Sequence, residues 1–391
     1  MTSAYKRIAD ESEEEYIYRI CSLKESIGTW QQVTGVINEE LNYDYNESKY
    51  RKSFQAYNKI FESVNKNNDI STQLQELKKE KQKVRDENLK YNNMLREQSR
   101  MESEIELLIE AVDRIEKPSV PSIQIIPNGF KEGVAVFGDA HLGSEIKIYG
   151  LNGDILNEYN EEVFYQRMWT LRDNIIDICK KEELTSITIL DLGDSINGLL
   201  RISALQSIKY GAVDSAILYA KFVSEWIGSI SNEVYVKYKA ITGNHEETRP
   251  FSSKNGDFPH ENLGRFVNEY IKAYLKDNCN VSFDDTINYK AIYTNVAGYN
   301  IMATHGEEKN KQNVIMEYEN VYGVSINYFI SGHLHHGQNK EIGFDKEYIG
   351  VGSVIGVDDY SLKLKKVSNP SAKFLVLEPN KGKIEYTIKL K

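Results

Sequence analysis

No proline occurs before Pro118, and the first 117 residues contain only two glycines, Gly28 and Gly35. Proline removes a backbone donor and clashes inside a helix, and glycine costs about 1 kcal/mol there, so a stretch this free of both is expected to be almost wholly helical. The rest of the chain is punctuated differently. Pro118, Pro121 and Pro127 cluster in KPSVPSIQIIPNGF, a segment that disfavours helix continuation and regular strand pairing and reads as a linker over residues 118–130. All seven histidines lie from His141 onward, so any histidine chemistry belongs to the part after the linker.

A chain of 391 residues has room for a large core and, at roughly 100–200 residues each, two to three domains. With 40% hydrophobic and 27% charged residues, disorder is not its dominant state. No apolar run reaches about 18 residues, and the start MTSAYKRIADESEEE has no apolar segment of signal-peptide type. Cys21, Cys179 and Cys279 are odd in number and far apart, which offers neither a disulfide framework nor a CxxC metal knuckle. These features point to a cytoplasmic protein that makes no use of a membrane.

Within the first third, residues 12–25 suit one helix and TWQQVTGVINEEL a second, with Thr29 as N-cap and Trp30, Val33, Ile37 and Leu41 on one face. In KYRKSFQAYNKIFESV, Tyr50, Phe54, Tyr57 and Phe61 recur every three or four residues. The three together form a small helix-turn-helix-like module over residues 1–66, which reads equally as a DNA-binding unit and as a packing or protein-docking bundle. Residues 67–117 then follow a heptad. Leu74, Lys81, Asn88, Leu95, Glu102 and Ile109 fall at a, and Leu77, Val84, Tyr91, Gln98, Ile105 and Val112 at d. Eight of these twelve are apolar, which supports a coiled coil and a homodimer through it, although the polar positions also allow a single exposed helix. Residues 49–100 carry 13 Lys plus Arg and 7 Asp plus Glu, a local excess that could meet phosphates, although it is also what a solvated helix surface looks like. The whole chain carries a formal charge of -10, so binding to nucleic acid would have to come from that local patch.

After the linker, five segments share one pattern, a short apolar run ending in Gly, Asp, Asn or His. They are VAVFGDAHLG, ITILDLGDSING, VYVKYKAITGNHEE, YNIMATHGE and NYFISGHLHH. Runs such as Val134 to Phe137 and Ile187 to Leu190 are too short for helices and apolar on both faces, as central strands of a covered sheet are. Their polar residues therefore sit at the carboxyl ends of strands, where open α/β sheets place ligand crevices. Helical stretches at 160–182, about 203–228 and 261–277 alternate with strands until about residue 280, after which strands dominate; this order suggests a β-sandwich core flanked by helices. Six of the seven histidines, beside Asp139, Asp194 and Asn244, lie in these segments. Imidazole, carboxylate and one amide oxygen without thiolate suit manganese, iron or zinc, and one Asp can bridge a pair of cations.

The blocks GDAH, GDSIN, GNHE, THG and GHLHH, in this order, resemble the five signature blocks of the calcineurin-like metallophosphoesterase superfamily, over about residues 130–380. The resemblance implies a four-layer α/β/β/α sandwich over residues 131–391, preceded by the all-α and coiled-coil region, and two divalent metal ions, manganese first with iron or zinc as alternatives. It places Asp139, His141 and His335 on one metal, Asn244, His305 and His333 on the other, and Asp194 between them. It makes His245 the group that contacts the phosphate and protonates the leaving oxygen while a metal-bridging hydroxide attacks phosphorus in line.

Two positions depart from the family. Many relatives have GDxxD in the second block, where the last carboxylate orients the catalytic histidine; here Asn197 stands there and cannot hold an imidazolium by charge. The Arg that follows in phosphoprotein phosphatases is Gly198, with Arg201 three residues on as a substitute phosphate contact. His336 reads as a support for its neighbours or the fold, His260 as a helix-start or surface residue, and Glu246 equally as a support for the site or a plain loop residue. Helices ahead of such a domain resemble phage and prophage phosphoesterases. The expectation is a phosphodiesterase or nuclease in the DNA metabolism of a phage or mobile element, with DNA as partner and the N-terminal helices as a site for a protein partner. The alternatives are a non-catalytic accessory of DNA transactions, such as a recombinase partner, and a phosphomonoesterase.

Overall fold

The computed structural model describes residues 5–115, 121, 123–198, 208–248, 261–284, 289–308, 310–365 and 367–391. The chain divides into two compact units, Met1–Arg100 and Met101–Lys391.

In the first unit, α1 (Glu13–Ser22) starts at a capping box in which Ser12 and Glu15 satisfy each other's free backbone donors, and a short α2 (Lys24–Ile27) ends at Gly28. Thr29 caps α3 (Trp30–Leu41) in the same way, with Gln32 closing the box, so the cap expected from sequence is the one used. The fourth helix, α4, runs unbroken from Glu47 to Asp113. Tyr16, Ile20, Cys21, Val33, Ile37 and Tyr50 form a small core, with Trp30, Leu41 and Phe54 packed against it. The aromatic stripe of α4 is buried only at its start: Tyr50 is inside, whereas Tyr57, at the rim against Tyr18 of α1, and Phe61 are exposed.

The second unit is mixed α/β. One sheet has the order β13-β12-β1-β4-β5-β6, from β1 (Glu132–Phe137), β4 (Ser186–Asp191), β5 (Tyr235–Ala240), β6 (Val281–Phe283), β12 (Ser371–Glu378) and β13 (Gly382–Lys389). β1, β4, β5 and β6 are parallel neighbours, and β12 and β13 close that edge antiparallel. The other sheet has the order β10-β11-β9-β8-β7, from β7 (Ala291–Val296), β8 (Tyr299–Thr304), β9 (Tyr328–Ser331), β10 (Gln338–Gly343) and β11 (Lys346–Gly350). β8, β9 and β11 run parallel. A hairpin of β2 (Ile146–Tyr149) and β3 (Ile155–Tyr159) stands apart from both sheets.

Alternation along the strands sorts the core. Val134 and Val136 join Leu190, Ile301, Ala303, Ile330 and Ile349 in a cluster shared by the two sheets. Their neighbours Ala135 and Phe137 turn the other way, onto a cluster built with α5 (Glu161–Lys181), α6 (Ala212–Ser231) and α7 (Leu263–Leu275). On the second sheet, Met302, Phe329 and Tyr348 pack with Val314 and Ile315 of α8 (Val314–Tyr322). α6 begins at Ala212, behind Gly211, later than the apolar spacing predicts. The last helix, α9 (Asp359–Leu364), follows a loop after β11. Among the described residues, no helix is long and apolar enough to cross a membrane.

Candidate metal centre

Five strands deliver the side chains. β1 ends at Phe137 just before Asp139 and His141, β4 at Asp191 before Asp194, and β5 at Ala240 before Asn244 and His245. β8 ends at Thr304 before His305, and β9 at Ser331 before His333 and His335. Because β1, β4 and β5 are parallel, as are β8 and β9, their carboxyl ends open toward the same side of each sheet. The chain turns sharply there: Asp139, His141, Asp194, His333 and His335 all have φ between 46° and 65°. Non-glycine residues in this left-handed region cost about 1–3 kcal/mol each and concentrate at sites that demand them. The two loops also meet closely. A Cβ on Gly243 would lie 2.1 Å from Asp194 Oδ1, so only glycine fits at that position.

The side chains converge on two neighbouring groups with Asp194 between them. His335 Nε2 lies 3.3 Å from Asp139 Oδ1 and 3.3 Å from His141 Nε2. His305 Nε2 lies 3.1 Å from Asp194 Oδ2, 3.1 Å from Asn244 Oδ1 and 3.1 Å from His333 Nδ1. Asp194 Oδ2 is also 3.8 Å from His141 Nε2, so one carboxylate faces both groups. Ligand atoms of Asp139, His141 and His335, and likewise those of Asp194, His305 and His333, all lie within 4.8 Å of one another. Asp139 Oδ1 is fully buried and faces His335 Nε2 as an ion-pair partner. Buried carboxylate, imidazole and amide donors with no thiolate fit divalent metal ions.

The electrostatics fit as well. Burial works against charge on His305, yet Asp194 and Asp139 outweigh it and hold the ring's pKa up to about 10. His335 is held up to about 10 against burial by Asp139 and Asp358. Burial pushes the two carboxyls up, but the imidazoles beside them keep Asp139 below, and Asp194 well below, the usual carboxylate range. His141, deeply buried and facing the charge of His245, is pushed down to about 3. The raised imidazoles and the lowered carboxyls are opposite charges that favour each other.

His245 donates its backbone N–H to Asp194 Oδ1 at 2.8 Å, and its Nδ1 lies 3.1 Å from Asn197 Oδ1. An amide oxygen as partner makes Nδ1 the protonated nitrogen and leaves Nε2 free of that bond. Burial, which the charge of Asp194 only partly offsets, lowers the pKa of this histidine. Gly198 has a steric reason: a Cβ there would stand 1.9 Å from the carbonyl oxygen of His245, so no arginine fits without moving the loop. Arg201 and His260 lie outside the described residues. His336 Nδ1 is buried without a hydrogen bond among the described residues.

Glu246 is 2% exposed and ties two of the loops together. Its carboxylate accepts from the backbone N–H of Ser195 at 2.7 Å, from the Ser195 hydroxyl, and from the N–H of Gly243 at 2.6 Å. Burial and the nearby Asp194 push its pKa up to about 7. The open reading of Glu246 is thereby resolved toward support of the site. Asp358, whose carboxylate stands 3.6 Å from His335 Nδ1, was not singled out from sequence, since SVIGVDDY contains no ligand-like pattern.

Two sheets that share a core and gather these five blocks at their strand ends are the arrangement that the resemblance to calcineurin-like metallophosphoesterases implies. By sequence the chain belongs to the family of the SPbeta prophage-derived protein YonJ of Bacillus subtilis (strain 168), to which it is 30% identical over 400 residues covering 97% of this chain and 96% of that protein. The family described as YonJ N-terminal domain matches residues 1–69. Among solved structures, Vacuolar Protein Sorting 29 of Cryptosporidium parvum is 12% identical with a TM-score of 0.34, covering 67% of this chain and 93% of that one. A dimetal phosphatase from Danio rerio is 13% identical with a TM-score of 0.34, covering 68% and 100%. Likenesses this loose assign no activity.

Proposed function

We propose that the chain is a dinuclear-metal-dependent phosphoesterase, and specifically a phosphodiesterase or nuclease acting in the DNA transactions of a phage or mobile element. The observation that carries this reading is the position of Asp194, one buried carboxylate facing both the His141 and the His305 group. Asp139, His141 and His335 would hold one divalent ion, and Asn244, His305 and His333 the other, with manganese the first choice. A cation pair there would polarise phosphate oxygens, lower the pKa of water and neutralise charge on the attacking and leaving groups. His245 directs Nδ1 at Asn197 Oδ1, and Nε2 would face the phosphate, donating to the leaving oxygen only when the ring carries a second proton. The four-layer α/β/β/α arrangement belongs to the same reading, with α5–α7 outside one sheet and α8 outside the other. Gly198 leaves no room for the arginine of phosphoprotein phosphatases, which favours diesters over phosphoproteins.

The first unit supplies partners in this reading. The basic stretch of residues 49–100 contacts phosphates, α1–α3 offer a surface for DNA or a protein, and α4 pairs with a second copy of the chain. Leu77, Val84, Tyr91, Leu95, Ile105, Ile109 and Val112 are exposed at heptad positions. In a parallel in-register pair, Asn88 would meet Asn88 at an a layer and Glu80 would face Arg85 across the seam.

Manganese-dependent hydrolysis of bis-p-nitrophenyl phosphate, run beside labelled single- and double-stranded DNA, tests the reading. Turnover that requires metal and is lost in Asp194→Asn and His245→Ala supports a diesterase, and DNA cleavage makes it a nuclease. A second reading, a non-catalytic accessory of DNA transactions, is favoured by Asn197, which cannot hold His245 as an imidazolium. Metal binding without turnover, together with DNA binding that fails on deletion of residues 1–116, would establish it instead.

A further inference from the structure

The loop of residues 354–358, between β11 and α9, is bonded to the strand end that carries Asp139. The backbone N–H groups of Val354 and Ile355 donate to the carbonyls of Gly138 and Asp139, each at 3.1 Å. From behind, Arg167 donates to the carbonyls of Val354 and Ile355 at 2.8 and 2.7 Å, and the Asn157 amide to those of Ile355 and Val357 at 2.9 and 2.7 Å. Arg167 is 7% exposed and also holds Asn157 Oδ1 at 2.8 Å, so the clamp is internal and fully engaged. At the end of this loop Asp358 presents its carboxylate 3.6 Å from His335 Nδ1, a buried nitrogen with no hydrogen bond among the described residues.

His305, in the other group, is oriented differently. Its Nδ1 lies 2.8 Å from the backbone carbonyl of Leu192, a neutral partner. A carboxylate behind a ligating imidazole fixes the ring and raises its basicity more than a carbonyl does, and such partners typically change metal affinity by about 10–100-fold. We infer that Asp358 is a positioning residue for the cation site formed by Asp139, His141 and His335, and that it strengthens binding there without acting on the site formed by Asn244, His305 and His333. The inference rests on the dinuclear reading above.

Asp358 has a second task that the test must separate. It is the N-cap of α9, accepting from the N–H of Ser361 at 2.8 Å. Asparagine caps helices about as well as aspartate, so Asp358→Asn keeps the cap and the shape and removes only the charge. The experiment is a manganese titration of the chelator-stripped full chain and of Asp358→Asn, followed by calorimetry, with the far-ultraviolet circular dichroism spectrum as the control for fold. The expected result is two bound ions in the natural protein; in the variant, one affinity is unchanged and the other lowered by about 10–100-fold, with the same spectrum. A variant that titrates like the natural protein, or that loses both affinities together, overturns the inference while leaving the dinuclear reading intact. Absence of manganese binding in the natural protein would overturn both.

Discussion

On β1, Val134 and Val136 alternate with Ala135 and Phe137, and all four are at most 1% exposed, because a second sheet covers one face and helices the other. On α4, Leu77, Val84, Tyr91 and Leu95 are spaced just as regularly, yet they are 65%, 52%, 55% and 43% exposed. Both patterns are strong in the sequence, and they differ in what can complete them. A strand's period of two divides its side chains between two faces, and the neighbouring layers of the same chain cover both. A heptad stripe is covered only by another helix, and the small core of the first unit reaches no further along α4 than Phe54. Regular apolar spacing therefore predicts an element's type, whereas burial depends on whether the chain also supplies the partner.

The sharpest way to break this contrast is at the centre of the sheet unit. Asp194→Asn should remove the charge that faces both ligand groups and lower diester turnover by on the order of 10²–10³-fold, read from steady-state hydrolysis at saturating manganese. Ile330→Ala, in the cluster shared by the sheets, should cost about 2–5 kcal/mol in denaturant unfolding of the second unit. Metal uptake should depend on pH in a definite direction. His305 and His335 keep their protons up to about pH 10 in the metal-free protein and must release them to ligate, so affinity should rise with pH below that value, about tenfold per unit at each position, with proton release seen in buffers of different ionisation enthalpy. The same shifts make these ion pairs stabilise the metal-free fold fully below about pH 6.5, the benefit disappearing as pH climbs toward 10.

Smaller effects are expected in the first unit. Thr29→Ala should cost about 1 kcal/mol by unmaking the cap of α3, read from thermal unfolding of the full chain by circular dichroism. Leu77→Ala with Val84→Ala should change monomer stability by no more than about 0.5 kcal/mol, since both side chains are exposed. The same pair should weaken self-association in analytical ultracentrifugation if α4 meets its own copy; an unchanged monomer–dimer balance would leave α4 a solvated helix.

Much of the metal centre was readable in the primary structure because each contribution is local. A short apolar run followed by GDAH or GNHE states both where a strand ends and which donors stand there, and all seven anticipated ligands do lie together. Asn197 was legible on the same grounds and stands against His245. Asp358 and Arg167 were not, since neither sits at a strand end and their partners are 23 and 187 residues away in the chain. Glu246 followed a recognisable block, but its position gave no sign that it would tie Ser195 to Gly243.

The residue order determined the element types, the helix caps and the donors at each strand end, because propensity, capping and alternation act over a few neighbouring residues. Only the tertiary structure decided that Gly198 must be bare beneath the carbonyl of His245, and that a carboxylate stands behind His335 and a backbone carbonyl behind His305. These are relations between segments brought together by strand order and burial, and distances of about 3 Å between such segments are set by packing, which no local pattern encodes.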